Sequence, residues 1–254
     1  MPSLLVVSGL DPSGGAGFLA DVRVAEAHGL RAVGAVTALT VQTSEGVRAV
    51  EPVSAELVGA QLVALLGDVE VAAGKIGMLG HEGVTEAVAE ALCLTAAPVV
   101  WDPVLRASAG GAPLYRGEPR RALALLRDHL ALITPNLAEA EALVGFEVRD
   151  VAGMRRAAEA LAGEGVACLV KGGHLAAGAA IDVLAVAGQV IEIEGARIPG
   201  GEDVHGTGCA LATALACQLA ARSELAAAAA AAAAFVRARL AAPVRAGRGK
   251  PSIL

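Results

Sequence analysis

The sequence predicts an α/β fold in which a mainly parallel central sheet carries helices on both faces. Short apolar runs alternate along the chain with longer stretches of helical period that are rich in Ala, Leu, Glu and Arg. The apolar runs are continuous rather than alternating, which is typical of strands covered on both faces. No linker, charge block or repeat divides the 254 residues, so we predict one domain over residues 1–254.

Strands are predicted where a short apolar run ends at a polar or glycine-rich turn. These runs are residues 4–7, 32–41, 75–78, 98–101, 130–133 and 166–171, followed by a hairpin of residues 183–186 and 190–193. In parallel sheets, ligands bind at the carboxyl ends of the strands. The polar residues that follow these runs are therefore candidates for one common site.

Helices are predicted between the strands. The first follows a glycine-rich turn at residues 14–17 and reaches His28, with Gly29 as its C-terminal cap. Another covers residues 55–66, and a long one begins near Gly208. The alanine run 226–234 predicts a helix whose small side chains let neighbouring elements approach closely.

Composition limits the possible partners. Hydrophobic residues make up 55% of the chain, but the alanine run is shorter than the roughly 20 apolar residues of a membrane span. The first residues show no secretory signal pattern, and the four cysteines form no CxxC pair, so we expect a reducing cytoplasm. A net charge of −6 argues against nucleic acid. A small molecule is the expected partner.

The first motif is the glycine-rich turn between Gly9 and Asp21. Glycines let backbone N–H groups approach a ligand, and a helix N-terminus favours negative charge. Residues 15–20 also match the dinucleotide fingerprint GxGxxG/A, which requires an acidic residue about 20 positions later. Residues 37–42 contain no acid, so we reject NAD. A tight turn without a ligand stays open as the alternative.

Two further motifs follow later strands. Asn136 and Glu139 lie on one face of a predicted helix start, where their oxygens could hold hydrated Mg²⁺; a capping box is the alternative. Lys171 stands at a strand end beside Gly172 and Gly173, where it could meet phosphate oxygens; a surface lysine before a turn is the alternative.

The fourth motif is His205-Gly206-Thr207-Gly208-Cys209 at the start of a helix. Exposed N–H groups and the helix dipole would form an anion hole for a phosphoryl group. A thiol in the first helical turn has a lowered pKa, and its thiolate could accept a proton from a substrate hydroxyl. A small buried hydrophobe is the alternative for Cys209, and we assign that role to Cys93, Cys168 and Cys217. His205 is interpreted as a polar cap or a packing residue.

Taken in order, these motifs resemble the hydroxymethylpyrimidine/phosphomethylpyrimidine kinases of thiamine biosynthesis, in the ribokinase-like superfamily. The matching segments are residues 9–21, 37–43, 75–79, 102–104, 134–141, 170–174 and 205–209. The resemblance implies a three-layer α/β/α sandwich. It also implies two phosphorylations with ATP and Mg²⁺, first of 4-amino-5-hydroxymethyl-2-methylpyrimidine and then of its monophosphate.

The resemblance further implies a role for each matching residue. Gly9, Asp21, Gln42, Met78 and Val104 would bind the pyrimidine. Lys171, Asn136, Glu139 and Thr207 would bind the nucleotide, and Glu139 and Asp102 would bind the metal. Gly206 and Gly208 would form the anion hole with Lys171 nearby, and Cys209 would stand where most ribokinase-like enzymes carry an aspartate base.

Two alternatives stay open at this stage. One is a pyridoxal or pyridoxine kinase, and the other is a non-catalytic pyrimidine-binding regulatory protein. The segments 105–111 and 199–203 depart from the family pattern, so we assign no adenine contacts and no selectivity at the phosphate end. The apolar excess and the alanine helix predict a homodimer.

Overall fold

The computed structural model describes residues 1–107, 111–173, 175 and 180–253. The strands within these residues are β1 (Ser3–Leu10), β2 (Arg31–Thr43), β3 (Gly46–Pro52), β4 (Val71–Ile76), β5 (Gly80–His81), β6 (Val99–Trp101), β7 (Tyr115–Arg116), β8 (Leu130–Ile133), β9 (Ala167–Val170), β10 (Ala180–Val186) and β11 (Gln189–Gly195). The α-helices are α1 (Gly17–Ala27), α2 (Ala55–Leu66), α3 (Glu82–Leu92), α4 (Pro119–Leu126), α5 (Leu137–Val144), α6 (Val151–Ala162), α7 (Thr207–Ala220) and α8 (Leu225–Leu240).

Nine strands form the main sheet, in the order β11-β10-β9-β8-β6-β4-β1-β2-β3. The six central strands, β9 to β2 in this order, are parallel to one another. The outer strands β3, β10 and β11 are antiparallel to their neighbours. The mainly parallel sheet predicted from the sequence is thereby confirmed.

The apolar runs are continuous because each strand contributes to two cores. Along β1, Leu5 and Val7 join the core beneath α2 to α6, whereas Leu4 and Val6 join the core beneath α1, α7 and α8. Successive side chains of a strand point to opposite faces, so a strand covered on both faces needs apolar residues at every position. The three-layer α/β/α sandwich is confirmed.

Helix α8 shows what the alanine run does. Ala228, Ala229, Ala232 and Ala233 are buried in the core that α8 shares with α7. This spacing places the four methyl groups on one face of the helix. The small side chains therefore serve close packing within the chain, as predicted, and no helix among the described residues is long and apolar enough to cross a membrane.

The predicted element boundaries differ from the observed ones mainly at the sheet edge. The run 75–78 was expected to be a strand, but β4 ends at Ile76 and residues 77–78 already belong to the turn above the sheet. Strand β3 was not predicted, because its charged and partly exposed residues lack the continuous apolar pattern. It forms by pairing with β2 through a tight turn at Ser44 and Glu45.

Candidate active site

A cleft of about 280 Å³ lies above the carboxyl ends of the central strands. It is lined by the turns that follow β1, β4, β6, β8 and β9, by part of β2, and by the start of α7. Twelve of the residues selected from the sequence line it: Gly9, Gln42, Met78, Asp102, Val104, Asn136, Glu139, Lys171, Gly206, Thr207, Gly208 and Cys209.

Asp21 requires a correction. Its side chain is completely buried, and it does not line the cleft. One carboxylate oxygen accepts a hydrogen bond from Lys75 Nζ at 2.7 Å, and the other accepts one from the Thr213 hydroxyl at 2.7 Å. Because both oxygens are engaged beneath the first turns of two helices, Asp21 cannot contact a pyrimidine in this structure.

Lys171 is a cation that lies close to the start of α7. Its ammonium lies 2.5 Å from Asp102 Oδ1 and 3.9 Å from Glu139 Oε2. Burial lowers the pKa of Lys171, but the two carboxylates outweigh this effect and raise it above its ordinary value. A methyl group added to Gly208 would lie 3.3 Å from this ammonium. Lys171 therefore faces the glycine of the anion-hole motif directly and is not a surface lysine.

Asn136 and Glu139 form the capping box that the sequence left as an alternative. The Asn136 side chain accepts from the Glu139 N–H at 3.0 Å, and the Glu139 side chain accepts from the Asn136 N–H at 2.8 Å. Burial raises the pKa of Glu139 to about 7; Lys171 opposes this effect and Asp102 adds to it. The capping box aims Glu139 at Lys171, so the two interpretations of this motif are compatible.

The start of α7 has the backbone shape of an anion hole. Gly206 has a φ of +86°, and a Cβ at this position would overlap the carbonyl oxygen of Gly15. Only glycine fits here without displacing the turn that follows β1. The N–H groups of the first turn of α7 have no partner within the helix and point toward the cleft. The helix thus presents an N-terminus without an acidic side chain in its first turn.

Cys209 lies in this first turn, but its thiol does not have the lowered pKa that we expected. Burial raises the pKa of Cys209 to about 11, although the buried ammonium of Lys75 acts in the opposite direction. The Gly17 N–H, at the start of α1, donates a hydrogen bond to the sulfur. Desolvation therefore outweighs the helix N-terminus, and the thiol is protonated at neutral pH.

One end of the cleft combines apolar side chains with an amide. Met78, Val104 and Leu114 form a small apolar cluster separate from the two main cores. Gly9 allows this packing, because a methyl group there would come within 2.7 Å of Met78 Sδ. The Gln42 amide lies in the same cleft and is fixed by Thr40, whose hydroxyl donates to Gln42 Oε1 at 3.2 Å.

Asp11 and His205 organise the turn beside this pocket, and the sequence analysis gave neither a role in binding. Asp11 accepts hydrogen bonds from the Ser13 N–H, the Ser13 hydroxyl and the Ala16 N–H. His205 Nε2 lies 3.3 Å from Asp11 Oδ2 and 3.2 Å from the Gln42 amide nitrogen. Burial raises the pKa of Asp11, but hydrogen bonds from His205 and Ser13 leave it below its ordinary value. The signal in the sequence was that Asp11 is the only acidic residue between Gly9 and Ala20.

The other end of the cleft has a mixed lining. Ile198, Leu211, Val236 and Leu240 are apolar, and Arg197, Glu202 and Arg237 add charged side chains beside the glycine turn at Gly201. The Lys171 turn separates the two ends, and it is held by Asp182, which accepts from the Gly172 N–H at 2.9 Å. Residues 108–110, in one of the two segments that depart from the family pattern, lie outside the described residues. His174 also lies outside them.

The sequence matches the model of the phosphomethylpyrimidine kinase family over residues 11–253. The chain belongs to this family. It is therefore a kinase, and the resemblance that the ordered motifs suggested is confirmed.

Several curated relatives carry the name hydroxymethylpyrimidine/phosphomethylpyrimidine kinase. The Rhizobium meliloti protein is 41% identical over 221 residues, which cover 85% of this chain and 82% of the relative. The Haemophilus influenzae protein is 35% identical, and the match covers 97% of this chain and 93% of that protein. The bifunctional thiamine biosynthesis protein ThiED of Geobacter sulfurreducens is 37% identical, and the match covers 97% of this chain and 51% of that protein.

Solved structures of kinases share the fold. The ADP complex of Bacillus subtilis pyridoxal kinase has a TM-score of 0.89 and 28% identity, over 99% of this chain and 96% of that one. The phosphomethylpyrimidine kinase of Clostridium difficile has a TM-score of 0.80 and 29% identity, over 94% of this chain and 99% of that one. The ribokinase-like fold expected from the sequence is thus confirmed.

Proposed function

We propose that this kinase transfers the γ-phosphoryl group of ATP to the hydroxymethyl group of 4-amino-5-hydroxymethyl-2-methylpyrimidine and then phosphorylates the monophosphate, in thiamine biosynthesis. The observation that carries the proposal is the convergence of Lys171, the N-terminus of α7 and Cys209 between the two ends of one cleft. The names of the relatives support the choice of substrate. Because the chain belongs to a kinase family, we no longer interpret it as a non-catalytic regulatory protein.

The pyrimidine would occupy the end of the cleft that contains Gln42. An amide offers both a donor and an acceptor, which suits a ring nitrogen beside an exocyclic amine. Met78 and Val104 would pack against the ring, and Gly9 leaves the backbone open beside them. The ATP phosphates would lie between Lys171 and the N-terminus of α7, with Thr207 beside them and the adenine against the apolar side chains near Val236.

Transfer requires positioning and charge stabilisation more than covalent chemistry, because the transition state of phosphoryl transfer is loose. The N–H groups from Gly206 to Gly208 would donate to the oxygens of the phosphoryl group, and Lys171 would add a positive charge. The hydroxyl proton of the substrate would pass to Cys209 Sγ as the new O–P bond forms, while the bond between the γ-phosphorus and the bridging oxygen breaks and ADP leaves with that electron pair. This step needs the thiolate, so turnover should increase toward the pKa of about 11.

Asp102 and Glu139 fit a magnesium site of the kind used by kinases. Both carboxylates approach Lys171, and Mg²⁺ is commonly held by one or two carboxylates together with phosphates and water. Among the described residues, no group of three or more His, Cys, Asp or Glu is placed to hold a metal ion. When bound, the metal would neutralise phosphate charge, and Asn136 would fix the position of Glu139.

Pyridoxal kinase activity is the second candidate. The observation in its favour is the high structural similarity to the Bacillus subtilis pyridoxal kinase. The test is an ATP-consumption assay with the pyrimidine alcohol, its monophosphate and pyridoxal in parallel. We expect turnover of the first two and a much lower kcat/KM for pyridoxal. Faster turnover of pyridoxal would replace the proposal, and background ATP consumption with all three would reject it.

Replacing the thiol tests the proposed base. For Cys209→Ala we expect kcat to fall by about 10²–10⁴-fold, which is the usual contribution of a general base. The KM for ATP should change little, because the phosphate-binding groups stay in place. Cys217→Ala is the matched control, since Cys217 is buried on the same helix away from the cleft. Near-normal turnover by Cys209→Ala would remove Cys209 from the mechanism.

The cytoplasmic location and the homodimer stay predictions. Helix α8 uses its alanine face against α7 of the same chain, so this face no longer supports a dimer.

A further inference from the structure

A fully buried lysine lies beneath the proposed site. Lys75 and Asp21 have no exposed surface, and Lys75 Nζ lies 2.7 Å from Asp21 Oδ2. In the sheet, Lys75 pairs with Val6 of β1 and Val100 of β6, whose side chains belong to the core under α1 and α7. A charge inside an apolar core is costly unless it is paired, and apolar replacements of buried pairs are often neutral or stabilising. Fold stability alone therefore does not explain this pair.

The pair is placed between the first turns of two helices. Asp21 lies one turn after Gly17, the first residue of α1. The Gly17 N–H donates a hydrogen bond to Cys209 Sγ. Thr213 lies one turn after Cys209 on α7 and donates its hydroxyl proton to Asp21 Oδ1. Both helices that hold the thiol are thus fixed to the same carboxylate, and this carboxylate holds the Lys75 ammonium.

The backbone also leaves space for this ammonium. A methyl group added to Gly77 would lie 2.7 Å from Lys75 Nζ and 2.7 Å from Ser8 Oγ. The Ser8 hydroxyl is buried at the wall of the cleft and has no hydrogen-bond partner among the described residues. The Lys75 ammonium therefore lies directly under the cleft floor. Its electrostatic field reaches the cleft, but the ammonium is out of contact with a ligand.

We propose that Lys75 is a positioning residue: with Asp21 it fixes a positive charge beneath the starts of α1 and α7, and this charge stabilises the Cys209 thiolate. The proposal rests on the base role of Cys209 in the proposed function. The charged groups around the thiol are Lys75 of β4, Asp21 of α1, Asp102 after β6 and Lys171 after β9. Lys75 contributes the largest effect that lowers the thiol pKa, whereas Asp21 and Asp102 raise it.

The test compares the double variant Lys75→Met/Asp21→Asn with the wild type. The matched control is Arg155→Met/Glu192→Gln, which removes an exposed ion pair far from the cleft. Rates of Cys209 alkylation by iodoacetamide are measured from pH 7 to 9, where the rate is proportional to the thiolate fraction, and the midpoint near 11 is extrapolated from them; mass spectrometry identifies the modified peptide. We expect the midpoint for the Lys75 double variant to move up by about one pH unit, while the control stays at the wild-type value.

Kinetics give a second readout on the same variants. For the Lys75 double variant we expect kcat near neutral pH to fall by about tenfold with little change in the KM for ATP, and part of the loss to be recovered at higher pH. A purely structural role would lower Tm without moving the alkylation midpoint. A folded double variant with wild-type kcat and a wild-type midpoint would overturn the proposal.

Asp21→Asn provides the test if the double variant does not fold. Its amide oxygen still accepts a hydrogen bond from Lys75, and the negative charge near the thiol is removed. The alkylation midpoint should then move down, and an unchanged or higher midpoint would contradict the proposal. Alkylation needs no turnover, so it separates the two hypotheses: a normal kcat in Cys209→Ala rejects the base, whereas an unshifted midpoint in the Lys75 variants rejects the action of Lys75.

Discussion

Glu139 illustrates how one side chain serves both the helix and the site. Its carboxylate caps α5 through the Asn136 N–H and also faces Lys171 at 3.9 Å. The sequence offered a capping box and a metal site as alternatives. The structure contains the capping box, which places the carboxylate beside Lys171, and the metal site stays a proposal. The burial that this position requires raises the pKa of Glu139 to about 7.

This pKa predicts how stability depends on pH. Between the ordinary value of 4.5 and about 7, the folded state binds more protons than the unfolded state. The contribution of Glu139 to stability is therefore complete below pH 4.5 and is lost as pH rises through about 7. Glu139→Gln stays neutral and can still accept the capping hydrogen bond. We expect its Tm to equal that of the wild type near pH 4.5 and to exceed it by on the order of 5 °C at pH 8.

The measurement is thermal unfolding by circular dichroism from pH 4.5 to 8 in metal-free buffer. Glu147→Gln is the control, because its side chain is 70% exposed and should not change the pH dependence. A Glu139→Gln variant that loses stability with pH as steeply as the wild type would contradict the shifted pKa.

Among the elements, the C-terminal segment holds the anion-hole turn. The His205 N–H donates to the Pro251 carbonyl at 2.8 Å, and the Ile253 N–H donates to the His205 carbonyl at 3.1 Å. The same segment reaches the turn between β2 and β3, where the Lys250 N–H donates to the Ser44 carbonyl at 3.0 Å. The residue before Gly206 is thus fixed by backbone contacts from a distant part of the chain.

Ile253 anchors this segment, since only 1% of it is exposed and it packs in the core with α7. For Ile253→Ala we expect a loss of about 2–4 kcal/mol in the free energy of unfolding, because a buried cavity forms. We also expect a lower kcat, because the His205–Gly206 turn loses its support. Urea unfolding and the kinase assay measure the two effects. Val244→Ala, at a half-exposed position in the same segment, is the control, and equal effects of both variants would contradict the anchoring role.

At the scale of the whole molecule, the sheet brings together turns from Gly9 to Cys209, which are distant in sequence. A net charge of −6 makes the chain acidic overall, and Lys171 and Lys75 are paired with Asp102 and Asp21, so the positive end at this edge is the start of α7, which has no acid in its first turn. The N-terminus of a helix adds to this local field. The charge balance of the chain therefore does not describe the charge at the site.

A nucleotide that contacts several of these turns should stabilise the entire fold. With a non-hydrolysable ATP analogue and Mg²⁺ at about 100 times Kd, linkage predicts about 2.7 kcal/mol, or a rise in Tm of about 5–10 °C. Lys171→Met should show a smaller rise, because it lacks the ammonium between the phosphates and the carboxylates. Arg121→Met, on the surface outside the cleft, should respond like the wild type. Equal shifts for Lys171→Met and the wild type would exclude Lys171 from nucleotide binding.

The sequence by itself determined the fold class, most strands and helices, and the turns that line the cleft, because apolar periodicity and glycine-rich motifs are local properties. Only the tertiary structure decided which groups pair and which are desolvated. It placed Asp21 under the site instead of in it, made Lys75 a buried neighbour of the thiol, and raised the pKa of Cys209 through burial. These outcomes depend on contacts between strands and helices that are remote in the chain, and a local motif does not encode the solvent exposure of its own side chains.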